Sequence, residues 1–110
     1  MRHVLRIACV LTLLLSVSCR ETRPMKVSVY VPQLLGEPCL AVIRDALRGA
    51  DGVYADQISF DMPSHTVVVG YDSMKTAIKN IEHAIADLGF DANTIPANAE
   101  ARERLPADCR

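Results

Sequence analysis

Three cysteines and one histidine carry the chemistry available to this sequence: Cys19, Cys39, Cys109 and His65. Thiolates favour soft ions such as Cu(I) and Hg(II), and imidazole is an intermediate ligand. Cys39 is the most pointed of them. It sits in GEPCLAVIRDAL (36–47), where Pro38 and the stripe Leu40, Ile43, Ala46 and Leu47 predict the opening of an amphipathic helix. A helix N-terminus favours the thiolate over the thiol. One sulfur cannot make a two-sulfur grip, however, and a cysteine beside Leu40 also reads as a small buried hydrophobe.

Cys109 closes the polar segment PANAEARERLPADCR. It reads as a supplementary metal thiolate, as a disulfide partner for Cys39, or as a freely reactive chain end. Fourteen residues separate it from Ile95, and at full extension these span at most about 50 Å, so reach excludes none of the three. Met25, Met62 and Met74 are too scattered for a methionine-rich copper site, and His83, two residues from Ile81 on a helical stripe, is expected to face solvent without a role.

The N-terminal segment sets the compartment. Arg2 and Arg6 precede the uncharged run IACVLTLLLSV, which carries the small residue Ser16 near its end and is followed by Ser18. The pattern is that of a signal peptide over residues 1–18, and the run is shorter than the roughly 20 residues that span a bilayer. Cys19 follows directly, as in a bacterial lipobox, although Ser16 stands where leucine is usual; it is a candidate for lipidation, and export to the periplasm or a lipid-anchored position is expected. Without residues 1–18 the chain keeps 10 Lys+Arg against 13 Asp+Glu. With no basic patch to attract phosphate, nucleic acid is not an expected partner.

These residues must be positioned by elements whose periods are legible. Residues 25–31 alternate, with Val27, Val29 and Val31 on one face; 53–61 and 66–72 read as two strands joined at MPSH; and Ala77, Ile78, Ile81, Ala84, Ile85 and Leu88 form a helical stripe capped by Asp72 or Ser73 and ended by Gly89. FDANTI (90–95) reads as a last strand. The order β-α-β-β-α-β predicts an α+β, ferredoxin-like sandwich: two helices on one face of a four-stranded antiparallel sheet. The expected core is Val27, Val29, Ile43, Leu47, Ile58, Val67, Val69, Ile78, Ile81, Ile85 and Leu88. Residues 19–24 form a linker, 25–95 the domain and 96–110 the tail.

The alternating first strand, Cys39 with Ile43 and Leu47, the pair Gly52–Val53, VVVGYD and AIADLGFDA stand in an order that resembles the heavy-metal-associated domain of periplasmic mercury-binding proteins and copper chaperones. That family carries Met-x-Cys-x-x-Cys between the first strand and helix. Aligned on Cys39, this sequence has Leu34 for the methionine and Gly36 for the first cysteine, a GxxC in place of CxxC. Asp56 stands where an inward apolar residue is usual, and the turn at MPSH is about two residues longer. The resemblance implies a solvent-facing Cys39, with His65 in the lengthened hairpin at the same end of the molecule as a possible second ligand. A final strand would deliver the tail to the opposite end.

No Ser/His/Asp, paired-carboxylate or phosphate-loop pattern supports catalysis. Two classes remain. One is a soft-metal (Cu(I) or Hg(II)) binding or transfer protein of the cell envelope, served by a metal-donor or metal-transporting partner and able to form a metal-bridged homodimer through Cys39. The other is a ferredoxin-like structural or protein-interaction module without metal.

Overall fold

A computed structural model describes residues 24–110; the signal peptide reading of 1–18 and the lipidation reading of Cys19 lie outside the described residues. Strand β1 (Pro24–Tyr30) follows its alternation, burying Val27 and Val29 and exposing Lys26, Ser28 and Tyr30. Helix α1 (Glu37–Arg48) starts after Gly36 with a proline in its first turn, and buries Cys39, Leu40, Ile43 and Leu47. Strands β2 (Val53–Asp61) and β3 (Thr66–Asp72) form an antiparallel hairpin, and β3 lies between the other two in the order β1-β3-β2. Helix α2 (Ile78–Ala86) buries Ile81 and Ile85.

Register explains the core. Val27 pairs with Val69 and Val29 with Val67, so β1 and β3 present a continuous valine surface to the helices. Each buried aliphatic contributes about 1.5–3 kcal/mol relative to exposure. Between Val53 and Ile58 the β2 register shifts. Asp56 falls within that irregular stretch and is exposed, so a charge at an otherwise inward position is accommodated. On the outer face Gly70 is covered by Gln57, whose side chain occupies the space a Cβ would take.

Three sequence expectations are corrected. The sheet has three strands, not four: residues 90–95 make only an isolated bridge between Ala92 and Ile95, closed around Asn93 at φ 52°. Asn93 hydrogen-bonds to β1 at Tyr30, donating its N–H to the Tyr30 carbonyl and accepting the Tyr30 N–H on Oδ1, both at 2.9 Å. A tight turn followed by Pro96, which has no N–H, cannot extend a ladder along β1. Ile78 is 43 % exposed rather than core, because it occupies the first turn of α2, before the stripe reaches the sheet. Asp72 does not cap α2: its side chain accepts the Met74 N–H at 2.9 Å within the preceding turn, and α2 begins after Ala77 without a side-chain cap.

Because the chain turns at 92–95, the tail does not leave at the end opposite Cys39. It folds back as a short helix α3 (Ala99–Glu103), capped by Asn98, and a single 3-10 turn (Ala107–Cys109). Gly89 permits the approach: at φ +106° it adopts a conformation open to glycine, and an added Cβ would lie 2.5 Å from the Arg102 backbone nitrogen.

Candidate functional site

Cys39 is the third residue of α1, so its side chain lies in the first helical turn. It is fully buried and disulfide-bonded to Cys109, 70 positions further along the sequence, with the two Cα atoms 5.6 Å apart. Of the three readings open for Cys109, the structure adopts the disulfide. The solvent-facing Cys39 implied by the family resemblance is not found, because the 3-10 turn lies over it: Cys39 Sγ is 3.8 Å from the Asp108 carbonyl oxygen. With its proton replaced by sulfur, Cys39 has nothing to donate there, and this is packing rather than a hydrogen bond.

The loop that precedes α1 is held at three points, Val31, Gln33 and Leu34. From the hairpin, the His65 carbonyl accepts the Val31 N–H at 2.8 Å, and His65 Nδ1 donates to the Leu34 carbonyl at 2.9 Å. His65 has φ 51°, a left-handed conformation that a non-glycine residue adopts when its surroundings compel it. A neutral imidazole that donates from Nδ1 carries its lone pair on Nε2. The structure thus brings His65 to the Cys39 loop, as the topology predicts, and joins it to backbone there. Leu34 is fully buried, as is Phe90.

The third support was not foreseen from the sequence. Gln33 Nε2 donates to Asp91 Oδ2 at 2.7 Å, and the Asp91 N–H donates to Gln33 Oε1 at 3.0 Å. The other oxygen of Asp91 accepts the Ala97 N–H at 2.8 Å, so one carboxylate ties the α1 loop to the root of the tail. The Ala97 N–H and the Gln33 amide hold the Asp91 pKa below its ordinary value, against the opposing effect of burial and with a smaller contribution from Arg102. No spacing rule links Gln33 to Asp91, 58 residues apart. Asn98 ahead of AEARE did carry a local signal, that of a helix cap, and its Oδ1 accepts the Ala101 N–H at 2.9 Å.

On α1, Arg44 reaches back to Glu37 at 3.4 Å and stacks over Phe60 with 5.3 Å to the ring centroid. Among the described residues no group of three or more His, Cys, Asp and Glu side chains is placed to hold a metal. Three- and four-ligand cages are therefore not formed from those side chains. What this end of the molecule does contain is two sulfurs side by side at a helix N-terminus.

No family model and no curated protein matches the chain. Solved structures do. Oxidized MerP from Ralstonia metallidurans CH34 is 22% identical, with a TM-score of 0.58, covering 64% of this chain and 96% of its own. The CopZ metallochaperone is 26% identical at TM-score 0.57, over 62% of this chain and 98% of its own. A putative copper-ion-binding protein from Bacillus anthracis str. Ames is 23% identical at TM-score 0.59, over 66% of this chain and all of its own (100%). The chain shares with these structures an α+β fold of the heavy-metal-associated type, an antiparallel sheet with its helices, here built on three strands.

Proposed function

We propose that this chain is an exported soft-metal binding or transfer protein, of the Cu(I) or Hg(II) class, in which the pair Cys39 and Cys109 takes the place of a CxxC. The observation that carries the reading is the return of the tail, which sets a second sulfur beside Cys39. Reduced, the two thiolates supply a two-sulfur grip of the kind soft ions favour. The bonded pair has no thiolate to offer, so loading follows reduction. His65 is a supplementary candidate through Nε2, since Nδ1 is engaged with Leu34. Export rests on the segment 1–18, and Cys19 is the proposed lipid attachment. The partner is a protein that donates or accepts the same ion, and catalysis forms no part of the reading.

The likeness to MerP and to CopZ supports the fold on which such sites are built. A second reading, a structural or protein-interaction module, is favoured by one observation: both sulfurs are fully buried in their mutual bond. Titration of the reduced protein with Cu(I) and Hg(II) separates the two. The metal reading expects one tight ion per chain, weakened at least ~100-fold by Cys39→Ser and by Cys109→Ser, as removal of one of two sulfur ligands demands. Gly36→Cys should restore tight binding in the Cys109→Ser background. Unchanged affinity in Cys39→Ser leaves the interaction module as the function.

A further inference from the structure

We propose that residues 96–110 are a strap over Cys39, latched by the Cys39–Cys109 bond and released when a dithiol reduces that bond. This concerns control of the sulfur pair, and only the cargo of the uncovered sulfur rests on the function proposed above.

The tail is held unevenly. At its root, Ala97 and Asn98 donate their N–H groups to Asp91 Oδ1 and to the Ala86 carbonyl, at 2.8 and 2.9 Å. At its tip is the disulfide, one residue from the end of the sequence. Between them Leu105 is the one buried side chain, while Glu100, Arg102, Glu103, Arg104, Pro106, Ala107 and Asp108 are exposed. A segment that orders this much backbone against one leucine lacks the apolar burial that keeps such a segment folded. The covalent bond at its tip supplies the constraint, and removing it leaves the segment held by its root hydrogen bonds, the close approach at Gly89 and the one leucine.

The chemistry balances with a dithiol as the electron donor. One thiolate of the reductant attacks Cys109 Sγ, the Cys39–Cys109 bond breaks, and Cys39 departs as a thiolate. The second thiol of the reductant then closes its own disulfide and frees Cys109. Two electrons enter the protein's sulfur pair, and the two protons of the dithiol finish on Cys39 and Cys109. Attack at Cys109 is the favoured direction, because Cys39 leaves at the N-terminal turn of the 12-residue helix α1, where a thiolate is stabilised. The Cys109 end also belongs to the movable segment, whereas Cys39 is fixed in α1.

The test uses the wild-type protein, oxidised and after treatment with dithiothreitol, which is then removed without air. Hydrogen exchange by mass spectrometry is read peptide by peptide, and Cys39 is challenged with iodoacetamide without denaturant. On reduction, exchange in 96–110 should accelerate at least ~10-fold while β1, β2 and β3 keep their protection, and Cys39 should become alkylated. Leu105→Ala should accelerate tail exchange further in the reduced protein, and Cys109→Ser should match reduced wild type. The strap is overturned if reduced protein keeps its tail protected and Cys39 unreactive. It is equally overturned if the oxidised tail already exchanges freely, or if the sheet loses protection together with the tail. Mercuric chloride added in parallel separates the two claims: tail release without Hg(II) binding upholds the strap and removes the soft-metal reading. Hg(II) bound through both cysteines of a reduced protein whose tail stays protected does the reverse.

Discussion

The valine-faced sheet under α1 and α2, and the end of the molecule where the tail covers Cys39, are neighbours held by different forces. In the sheet region the core side chains are apolar and fully or nearly buried, from Val27, Val29, Val67 and Val69 to Ile43, Leu47, Ile81 and Ile85, with Ile58 and Leu88, also expected in the core, half-buried against them. At the tail-covered end the ties are a disulfide, one carboxylate shared between Gln33 and Ala97, the Asn98 N–H on the Ala86 carbonyl, and one buried leucine. The first is distributed, so no single group is indispensable to its shape. The second is concentrated in few groups, and each can be removed alone.

The largest effect that sharpens this contrast is expected in the sheet region. Ile85→Ala leaves a cavity beneath the sheet and should lower global stability by about 2–5 kcal/mol, read as a reduced urea midpoint with unchanged slope. A change below ~0.5 kcal/mol, the range of surface substitutions, would mean that α2 does not pack as described.

Loss of the disulfide comes next. Closing a separation of 70 residues removes unfolded-chain entropy worth about 4 kcal/mol in the loop-closure model. Cys109→Ser should therefore cost up to that amount, and less to the degree that the freed tail leaves the folded body. Paired oxidised and reduced urea melts measure it, and coincident curves would show that the bond constrains nothing.

Gly89→Ala tests the packing of α3. A β-carbon at that backbone conformation, against Arg102, should cost about 1–3 kcal/mol, and the tail is where the strain should be relieved. Faster exchange of 99–109 than of β3 is the expected signature. Uniform loss of protection would place Gly89 in the body instead.

The smallest effect belongs to Asp91. Its folded pKa lies below the ordinary 3.8, so its hydrogen bonds stabilise the fold above about pH 4 and are lost as pH falls through the lower folded value. Asp91→Asn should cost about 1 kcal/mol at pH 7 and should flatten the acid limb of the stability profile, measured by thermal melts from pH 2 to 6. An unaltered acid limb would show that Asp91 does not couple the tail to the α1 loop.

Period and composition carried much of the fold. Alternation in β1 and β3 and the helical stripes require one apolar face each, and only an arrangement that brings those faces together removes them from water. Hence Val27, Val29, Ile43, Leu47, Val67, Val69, Ile81 and Ile85 were legible as core. Ile78 was not, because periodicity identifies a face but not where along the helix that face meets the sheet. The fourth strand failed for a related reason. FDANTI has strand-like residues, but Asn93 and Pro96 create a turn and a missing donor whose outcome depends on which partner lies alongside.

At the candidate site the sequence determined residue types and the element each belongs to: a cysteine in the first turn of α1, a histidine in the following hairpin, a cysteine in the tail. It left open which of them meet. Reach along the chain allowed Cys109 to go anywhere, and the choice was made by the turn at 92–95, the close approach permitted at Gly89 and the Gln33–Asp91 pair, which together aim the tail back at α1. Contacts between residues 58 and 70 positions apart depend on the relative placement of whole elements. Local pattern encodes each element's face and ends; their placement is decided by packing all of them at once, and so the partner of Cys39 belongs to the tertiary structure.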